Sequence, residues 1–288
     1  RDVVQALAAR GQLGALVMEM AEQGRQTRGL PADASEDQVR AALNWTDAGG
    51  WPWPVYGPVV MAAVRSGVPV LGGNLPRAQM RGAMGNATLD SLVADDVLQR
   101  QRTGIREGHC DLLPPSQIAP MTRIQLARDQ ALAQTAVRAL IPGKTVVLVA
   151  GNGHVRSDLG VPLYLPKDLG HRVVMAQAGG AKDGATPADS VWLTPPQPAW
   201  ACSAEGRSWD LTGGNDMVLS LVETDVAIPH LGVTIGSTPK KHSFGCDPRR
   251  RDANWRIGHG GRHHGRHLHH CRETCRRDKR RQKRSLRV

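Results

Sequence analysis

Several short apolar runs along the chain end in glycine, asparagine or an acidic residue. They are rich in valine and leucine and lack a clean alternation of polar and apolar positions. This pattern is typical of strands that are buried on both faces of a parallel sheet. The predicted strands are Ala15–Met20, Val68–Leu71, Thr145–Ala150, Arg172–Ala176 and Ser190–Leu193.

Helical patterns lie between these runs. Ser35 and Gln38 form a capping signal just before the apolar positions of Val39–Leu43. Val59–Arg65 is predicted to be a second helix, and Met121–Leu140 is the longest, with apolar residues along one side. The alternation of strands and helices predicts an α/β fold with a largely parallel sheet and crossover helices on both faces.

The alternation ends near residue 198, so we expect a first domain over residues 1–198. Residues 199–238 form a poorly defined extension, in which Met217–Val222 carries only weak strand signals. Residues 239–288 contain too few apolar side chains to offset the entropy of ordering, and we expect them to be a basic, disordered tail.

The charge of the chain is concentrated in this tail. The 288 residues carry a formal net charge of +11, from 37 Lys and Arg against 26 Asp and Glu. The tail holds 17 of the basic and 4 of the acidic residues, which leaves 20 against 22 in residues 1–238. A basic chain usually indicates a nucleic-acid partner, but the predicted domain is close to neutral, and no specific nucleic acid is expected to bind it.

Polar residues recur where three of the predicted strands end. Glu19 and Asn74 end two strands, and the third runs into a Gly-Asn-Gly turn followed by His154 and Arg156. Ligands bind outside the carboxyl ends of the strands in an open parallel sheet, so these side chains are expected to share one crevice. The turn could equally be ordinary structure, with a histidine that is satisfied within the fold.

An aromatic cluster stands out in a chain with only two tyrosines and one phenylalanine. Trp51, Trp53 and Tyr56 lie within six residues. Aromatic residues at this density build either part of a core or a wall against a flat ligand. The sequence leaves both interpretations open.

Taken together, these motifs resemble the ChaN-like, iron-regulated haem-binding family, part of a wider superfamily with Tiki-type and erythromycin-esterase-type proteins. The resemblance covers residues 1 to about 196 and has several motifs in the same order. They are Val17-Met-Glu19-Met20, Leu43-Asn-Trp45, Trp51-Pro-Trp53-Pro-Val-Tyr56-Gly-Pro58, Gly73-Asn74-Leu-Pro-Arg77, Gly108-His109-Cys110, Gln125-Leu-Ala-Arg128-Asp129, Val147-Leu-Val-Ala-Gly151-Asn-Gly-His154-Val-Arg156 and Gly160-Val-Pro162.

The resemblance implies a non-catalytic haem-binding protein of the bacterial cell envelope, periplasmic or anchored as a lipoprotein. It also implies a homodimer that works with envelope haem-uptake machinery. By position, Tyr56 is the expected ligand of the haem iron, and Trp53 offers a face for the porphyrin. His154 and Arg156 are expected to meet the haem propionates or a second polar ligand. Glu19 and Asn74 are expected to line the same edge.

Two departures from the family pattern give further expectations. Family members carry an earlier strand that ends in a Gly-Glu-x-His motif, and no such motif precedes the helical pattern at the start of this chain. The family also often has a further cysteine near its end. Cys202 would take that position here, and in an oxidising compartment it is expected to pair with Cys110.

Two other classes of function remain open at this level. The Gly151-Asn-Gly-His154 element resembles a Gly-x-x-His element of superfamily enzymes, so a metal-dependent hydrolase with Glu19 as general base is the main alternative. Nucleic-acid binding by the basic tail is the third, and it would weaken steeply with salt.

Overall fold

The computed structural model describes residues 1–47, 50–179, 187–196 and 217–223, and the last range is described by its backbone alone. In these parts of the chain, no helix has the length and apolar character needed to cross a membrane. The predicted disorder of residues 239–288 concerns a segment outside the described ranges.

Strands and helices alternate through most of the chain. The strands are β1 (Leu13–Glu22), β2 (Val70–Asn74), β3 (Thr145–Gly151), β4 (His171–Ala178), β5 (Ser190–Thr194) and β6 (Met217–Glu223). The helices are α1 (Asp2–Ala9), α2 (Glu36–Leu43), α3 (Trp53–Arg65), α4 (Arg77–Gly85), α5 (Asp95–Gly108), α6 (Pro115–Arg138) and α7 (Asn152–Val155), with short 3₁₀ turns at Ala87–Leu92 and Val161–Tyr164. All five predicted strands are present.

Within the described ranges, six strands form one sheet in the order β2-β1-β3-β6-β4-β5. β1 pairs in parallel with β2 and with β3, so that Val17 lies opposite both Leu71 and Leu148. β4 and β5 are also parallel, and β6 runs antiparallel to its neighbours β3 and β4. The predicted α/β class with a largely parallel sheet is therefore confirmed.

Apolar side chains of β1 pack on both faces of the sheet. Leu16 and Met18 belong to the cluster that also contains the buried residues of α1, α2 and α3. Ala15 and Val17 point the other way and pack with residues of α6, such as Leu132. Because successive residues of a strand point to opposite faces, a strand covered on both sides is apolar throughout. The structure confirms crossover helices on both faces.

The start of α2 follows its predicted capping signal. The Ser35 hydroxyl accepts a hydrogen bond from the Gln38 amide at 3.3 Å, and the Gln38 side chain accepts one from the Ser35 amide at 2.9 Å. This reciprocal pair satisfies two donors that the first helical turn would otherwise leave unpaired. α2 ends at Asn44, which takes the left-handed conformation with φ of 50°.

The strand with the weakest sequence signal occupies an inner position of the sheet. β6 pairs with β3 along its whole length, from Met217 opposite Gly151 to Glu223 opposite Thr145. The predicted domain boundary at residue 198 remains untested, but this strand of the extension lies in the same sheet as the domain before it.

Cys110 lies in the turn between α5 and α6 and is disulfide-bonded. Cys202, its expected partner, lies outside the described residues, so that pairing remains a prediction.

The approach of β1 to β2 gives a first test of the fold. A Cβ added at Gly72 would meet the carbonyl oxygen of Glu22 and lie 2.8 Å from the Ala21 carbonyl carbon. We expect Gly72→Ala to lower the free energy of unfolding by about 1–3 kcal/mol, because backbone atoms must move to make room. Urea denaturation followed by circular dichroism measures this change.

Gly82, in α4, provides the matched control, since a Cβ there meets nothing within 4 Å. Gly82→Ala should leave stability unchanged or raise it by up to about 1 kcal/mol, because alanine is the better helix former. Equal effects at the two positions would contradict the close packing of β1 and β2.

Candidate functional site

A buried polar cluster lies at the carboxyl ends of β1, β2 and β3. Glu19, Asn74 and His154 are 5%, 4% and 5% exposed. The Asn74 amide donates to the backbone oxygen of Glu19 at 2.9 Å, and the Nε2 atom of His154 lies 3.3 Å from a carboxylate oxygen of Glu19. The structure thus brings together three of the residues that the sequence places at strand ends.

Arg128 of α6 joins this cluster through two contacts. Its guanidinium donates to Glu19 Oε1 at 2.7 Å and to Asn74 Oδ1 at 2.9 Å. The other Glu19 oxygen accepts from the Gly151 amide at 2.7 Å, where β3 ends. Both carboxylate oxygens of Glu19 are therefore satisfied by elements other than its own strand.

Asp129 lies on the other side of the His154 ring. Its Oδ1 atom is 2.5 Å from His154 Nδ1, and the residue has no exposed surface. The Gln125 amide also lies 3.1 Å from this ring nitrogen. The imidazole of His154 thus sits between two buried carboxylates, those of Glu19 and Asp129.

Burial and these close charges together set the ionisation of the cluster. Burial disfavours a charged Glu19, but His154, Arg128 and the Gly151 amide outweigh it and lower the pKa of Glu19 to about 2. Burial likewise opposes charge on His154, but the two carboxylates raise its pKa to about 9. At neutral pH the cluster therefore contains a glutamate anion beside an imidazolium. Burial raises the pKa of Asp129 to about 6, against the attraction of His154.

Arg156 points away from this cluster. Its guanidinium donates two hydrogen bonds to Asp158, at 2.9 and 2.8 Å, and Asp158 also accepts one from Arg100 of α5 at 2.9 Å. The Arg156 side chain is 38% exposed. It is the sequence-predicted site residue that is both charged and accessible.

Trp53 and Tyr56 of α3 belong to the apolar core cluster that also contains buried residues of α1 and α2, and they are 5% and 1% exposed. The Trp45 ring contacts both, with centroid distances of 5.2 Å to Trp53 and 6.0 Å to Tyr56. Trp53 Nε1 donates to Glu36 at 2.8 Å. The aromatic residues therefore pack as part of the core in this structure.

Tyr56 and Glu19 lie at the same end of the sheet but on opposite faces. A crossover helix runs antiparallel to the strands it connects, so the first turn of α3 lies near their carboxyl ends. Glu19 has the same side-chain orientation along β1 as Val17, which packs on the α6 face. Tyr56 packs on the other face with Leu16 and Met18.

The sequence interpretation assigned no role to Gln125, Arg128 and Asp129, although they lie in one of the motifs of the resemblance. A signal was present. Arg128 and Asp129 are adjacent charges between Ala127 and Ala131, both of which are buried on α6. Charged residues in an apolar stretch of helix are rarely buried without a partner. Here Arg128 pairs with Glu19, and Asp129 pairs with His154.

The hydrolase alternative requires Glu19 to act as a general base. A carboxylate whose pKa is lowered to about 2 is a weak base at neutral pH. Among the residues that the structure describes, no group of three or more His, Cys, Asp or Glu side chains is arranged to hold a metal ion.

Comparison with known proteins identifies the class of this fold. The family described as haem-binding uptake, Tiki superfamily, ChaN, matches residues 1–165, which is more than half of the chain. The chain belongs to this family of haem-binding uptake proteins. No curated protein matches it.

A solved structure described as cofacial heme binding to ChaN of Campylobacter jejuni is similar to this chain. The two share 21% sequence identity, with a TM-score of 0.47. The similarity covers 57% of this chain and 66% of that one, which is just under two thirds of its length.

Loss of the charge on Glu19 should destabilise the fold strongly. In Glu19→Gln, His154 and Arg128 remain largely buried without their shared anion, and breaking a buried ion pair costs about 3–5 kcal/mol. We expect a loss in this range, measured by urea denaturation. The control is Asp158→Asn, whose partners Arg156 and Arg100 are 38% and 46% exposed, with an expected loss of about 1 kcal/mol or less. Equal losses would contradict the central role of Glu19.

His154 should make stability depend on alkaline pH. Its pKa in the folded protein is raised from 6.5 to about 9. Its contribution is therefore complete below pH 6.5 and is lost as the pH rises toward about 9. We expect the urea midpoint to fall across this interval in the wild type and to fall much less in His154→Gln. His171→Gln, at an exposed position, should keep the wild-type slope, and identical slopes in all three proteins would overturn the assignment.

Proposed function

We propose that this protein binds haem as a step in haem or iron uptake. The observation that carries the proposal is the family match over residues 1–165, which spans the aromatic segment and the polar cluster alike. The polar cluster alone does not favour catalysis, because its ionised groups are paired with one another and largely buried.

The ligand of the haem iron in this proposal is Tyr56. A phenolate oxygen is an established ligand of haem iron, and tryptophan rings offer flat apolar faces to a porphyrin. Trp45 and Trp53 flank Tyr56 and supply such faces. The donor chemistry of this segment therefore fits haem.

Access to Tyr56 requires the start of α3 to move, because the residue is 1% exposed. Packing of the Trp53 and Tyr56 rings in the core holds this segment in place, together with the Trp53–Glu36 hydrogen bond and two others. The Trp53 amide donates to Asp47 at 2.9 Å, and Trp45 Nε1 donates to the backbone oxygen of Trp51 at 3.0 Å. Such bonds contribute about 1 kcal/mol each, and opening also exposes the buried rings of Trp53 and Tyr56, so contact of the porphyrin with these rings must offset both costs.

The polar residues take two roles in the proposal. Glu19, Asn74 and His154 fix the strand ends, because each is engaged within the cluster. Arg156 is the contact for a haem propionate, which would compete with Asp158 for its guanidinium.

The proposal extends to an iron-regulated homodimer of the bacterial cell envelope that delivers haem to uptake machinery. Its support is the uptake role in the family description. Fractionation of cells grown with and without iron tests location and regulation together. Sedimentation of the purified chain tests the dimer, and a cytoplasmic monomer at constant abundance would contradict this extension.

The chain's two tyrosines provide a matched test of the ligand. Haemin titration of the full chain should give saturable binding with a high-spin, tyrosinate-type spectrum. Tyr56→Phe should lose that spectrum and at least about tenfold in affinity. Tyr164→Phe should bind like the wild type, since the Tyr164 hydroxyl is buried without a hydrogen-bond partner among the described residues.

The outcomes separate the ligand assignment from the function. An unchanged Soret band and affinity in Tyr56→Phe would refute Tyr56 as the ligand while leaving haem binding intact. Absence of binding by the folded wild-type chain would overturn the proposed function itself.

A further inference from the structure

Helices α5 and α6 line an open cavity of about 540 Å³ near the turn that joins them. This volume lies within the usual range for small-molecule sites, roughly 300–1,000 Å³. Arg102 and Arg106 line it from α5, and Leu113, Pro115 and Ile118 line it from the turn and the start of α6. We call this space the α5–α6 cleft. It combines cationic and apolar walls.

The charge of Arg102 is incompletely satisfied by the protein. Asp90 is its ion-pair partner, but the separation is 3.7 Å. Arg123 already holds Asp90 through two hydrogen bonds of 3.0 and 2.9 Å. Arg102 Nε is buried and has no hydrogen-bond partner among the described residues. A buried donor in this state is costly unless a ligand or water supplies an acceptor.

Arg106 adds a second cation on the same face of α5. It follows Arg102 by four residues, and such residues are neighbours on a helix surface. Within the part of the chain that the structure describes, it forms no ion pair. Asp111 is the acidic residue that lines the cleft. Two guanidinium groups against one carboxylate leave the walls with a net positive charge.

The apolar wall of the cleft indicates that the ligand has an apolar part beside its negative charge. Leu113 and Ile118 supply aliphatic surface beside the two arginines. α6 also begins here at Pro115, without a side-chain cap, so its positive dipole end lies at the cleft. A carboxylate attached to an apolar body would match both the guanidinium groups and the apolar wall that line the cleft.

We propose that the α5–α6 cleft binds the carboxylate of an amphipathic organic anion. Two sources share this chemistry, the propionate edge of haem and the head of a fatty acid. The haem form of the proposal rests on the proposed function, whereas the fatty-acid form is independent of it. Ala119 of the cleft and Gln125 of the polar cluster are six residues, or about 9 Å, apart along α6, and no residue belongs to both sites.

The test compares two double variants of the full chain that remove the same charge. Arg102→Gln/Arg106→Gln alters the cleft, and Arg65→Gln/Arg81→Gln alters exposed arginines elsewhere. Haemin is titrated by absorbance and laurate by calorimetry, with haemin dimethyl ester and methyl laurate as probes that lack the carboxylate. We expect the cleft variant to lose about tenfold or more in affinity for at least one acid, because it lacks the charged hydrogen bonds to the carboxylate. The control variant and both esters should show no such difference.

Ala119→Phe tests the cleft independently, in case the arginine variant does not fold. It fills the cleft while keeping both arginines, and it should weaken the same acid. An effect on laurate alone identifies a fatty-acid site, and an effect on haemin alone identifies a propionate site. The cleft proposal would be overturned if laurate did not bind and if neither cleft variant changed haemin binding. Haemin binding that still depended on Tyr56 would then leave the proposed function standing. Absence of binding of both acids to the wild type would overturn both.

Discussion

The carboxylate of Glu19 joins the structural elements that meet where the parallel strands end. It lies on the central parallel strand β1 and accepts from Arg128 of α6 and from the Gly151 amide at the end of β3, each at 2.7 Å. His154 of α7 completes its surroundings. A carboxylate buried in protein costs several kcal/mol unless its oxygens are paired with good geometry. The helix, the strand end and the turn after it must therefore keep their positions together, and the edge is correspondingly rigid.

The alternation of side chains along β1 separates this rigid polar edge from the aromatic core. Glu19 faces α6, whereas Leu16 and Met18 face the layer that contains Trp53 and Tyr56. The two groups are close to the same edge but are divided by the strand itself. A flat ligand that contacts both must lie across the strand ends, because neither layer alone offers both chemistries. Opening of the first turn of α3, with the polar side held fixed, is the movement that such a ligand requires.

Local signals were sufficient for much of the fold. Apolar runs identified five strands, and Ser35 with Gln38 identified the start of α2. Strand ends also indicated that Glu19, Asn74 and His154 converge, since all parallel strands present their carboxyl ends to one edge. The partners of these residues could not be found in this way, because Arg128 is 109 residues from Glu19 and the contact exists only after folding. The position of β6 depends in the same way on pairing with β3, far away in the sequence.

Hydrogen-bond geometry distinguishes the arginines that serve the fold from the one whose charge is left for a ligand. Arg128 and Arg123 each meet a carboxylate with hydrogen bonds of 3.0 Å or less, and their charge is used internally. Arg102 competes for the carboxylate that Arg123 already holds in the better geometry, and its Nε remains buried without a partner among the described residues. The apolar stretch around Arg128 signals its burial, but sequence alone does not show which acceptor each of the three arginines meets. Only the distribution of acceptors in the folded chain shows which positive charge is left over, and a left-over charge beside an apolar cavity is the arrangement that an amphipathic anion recognises.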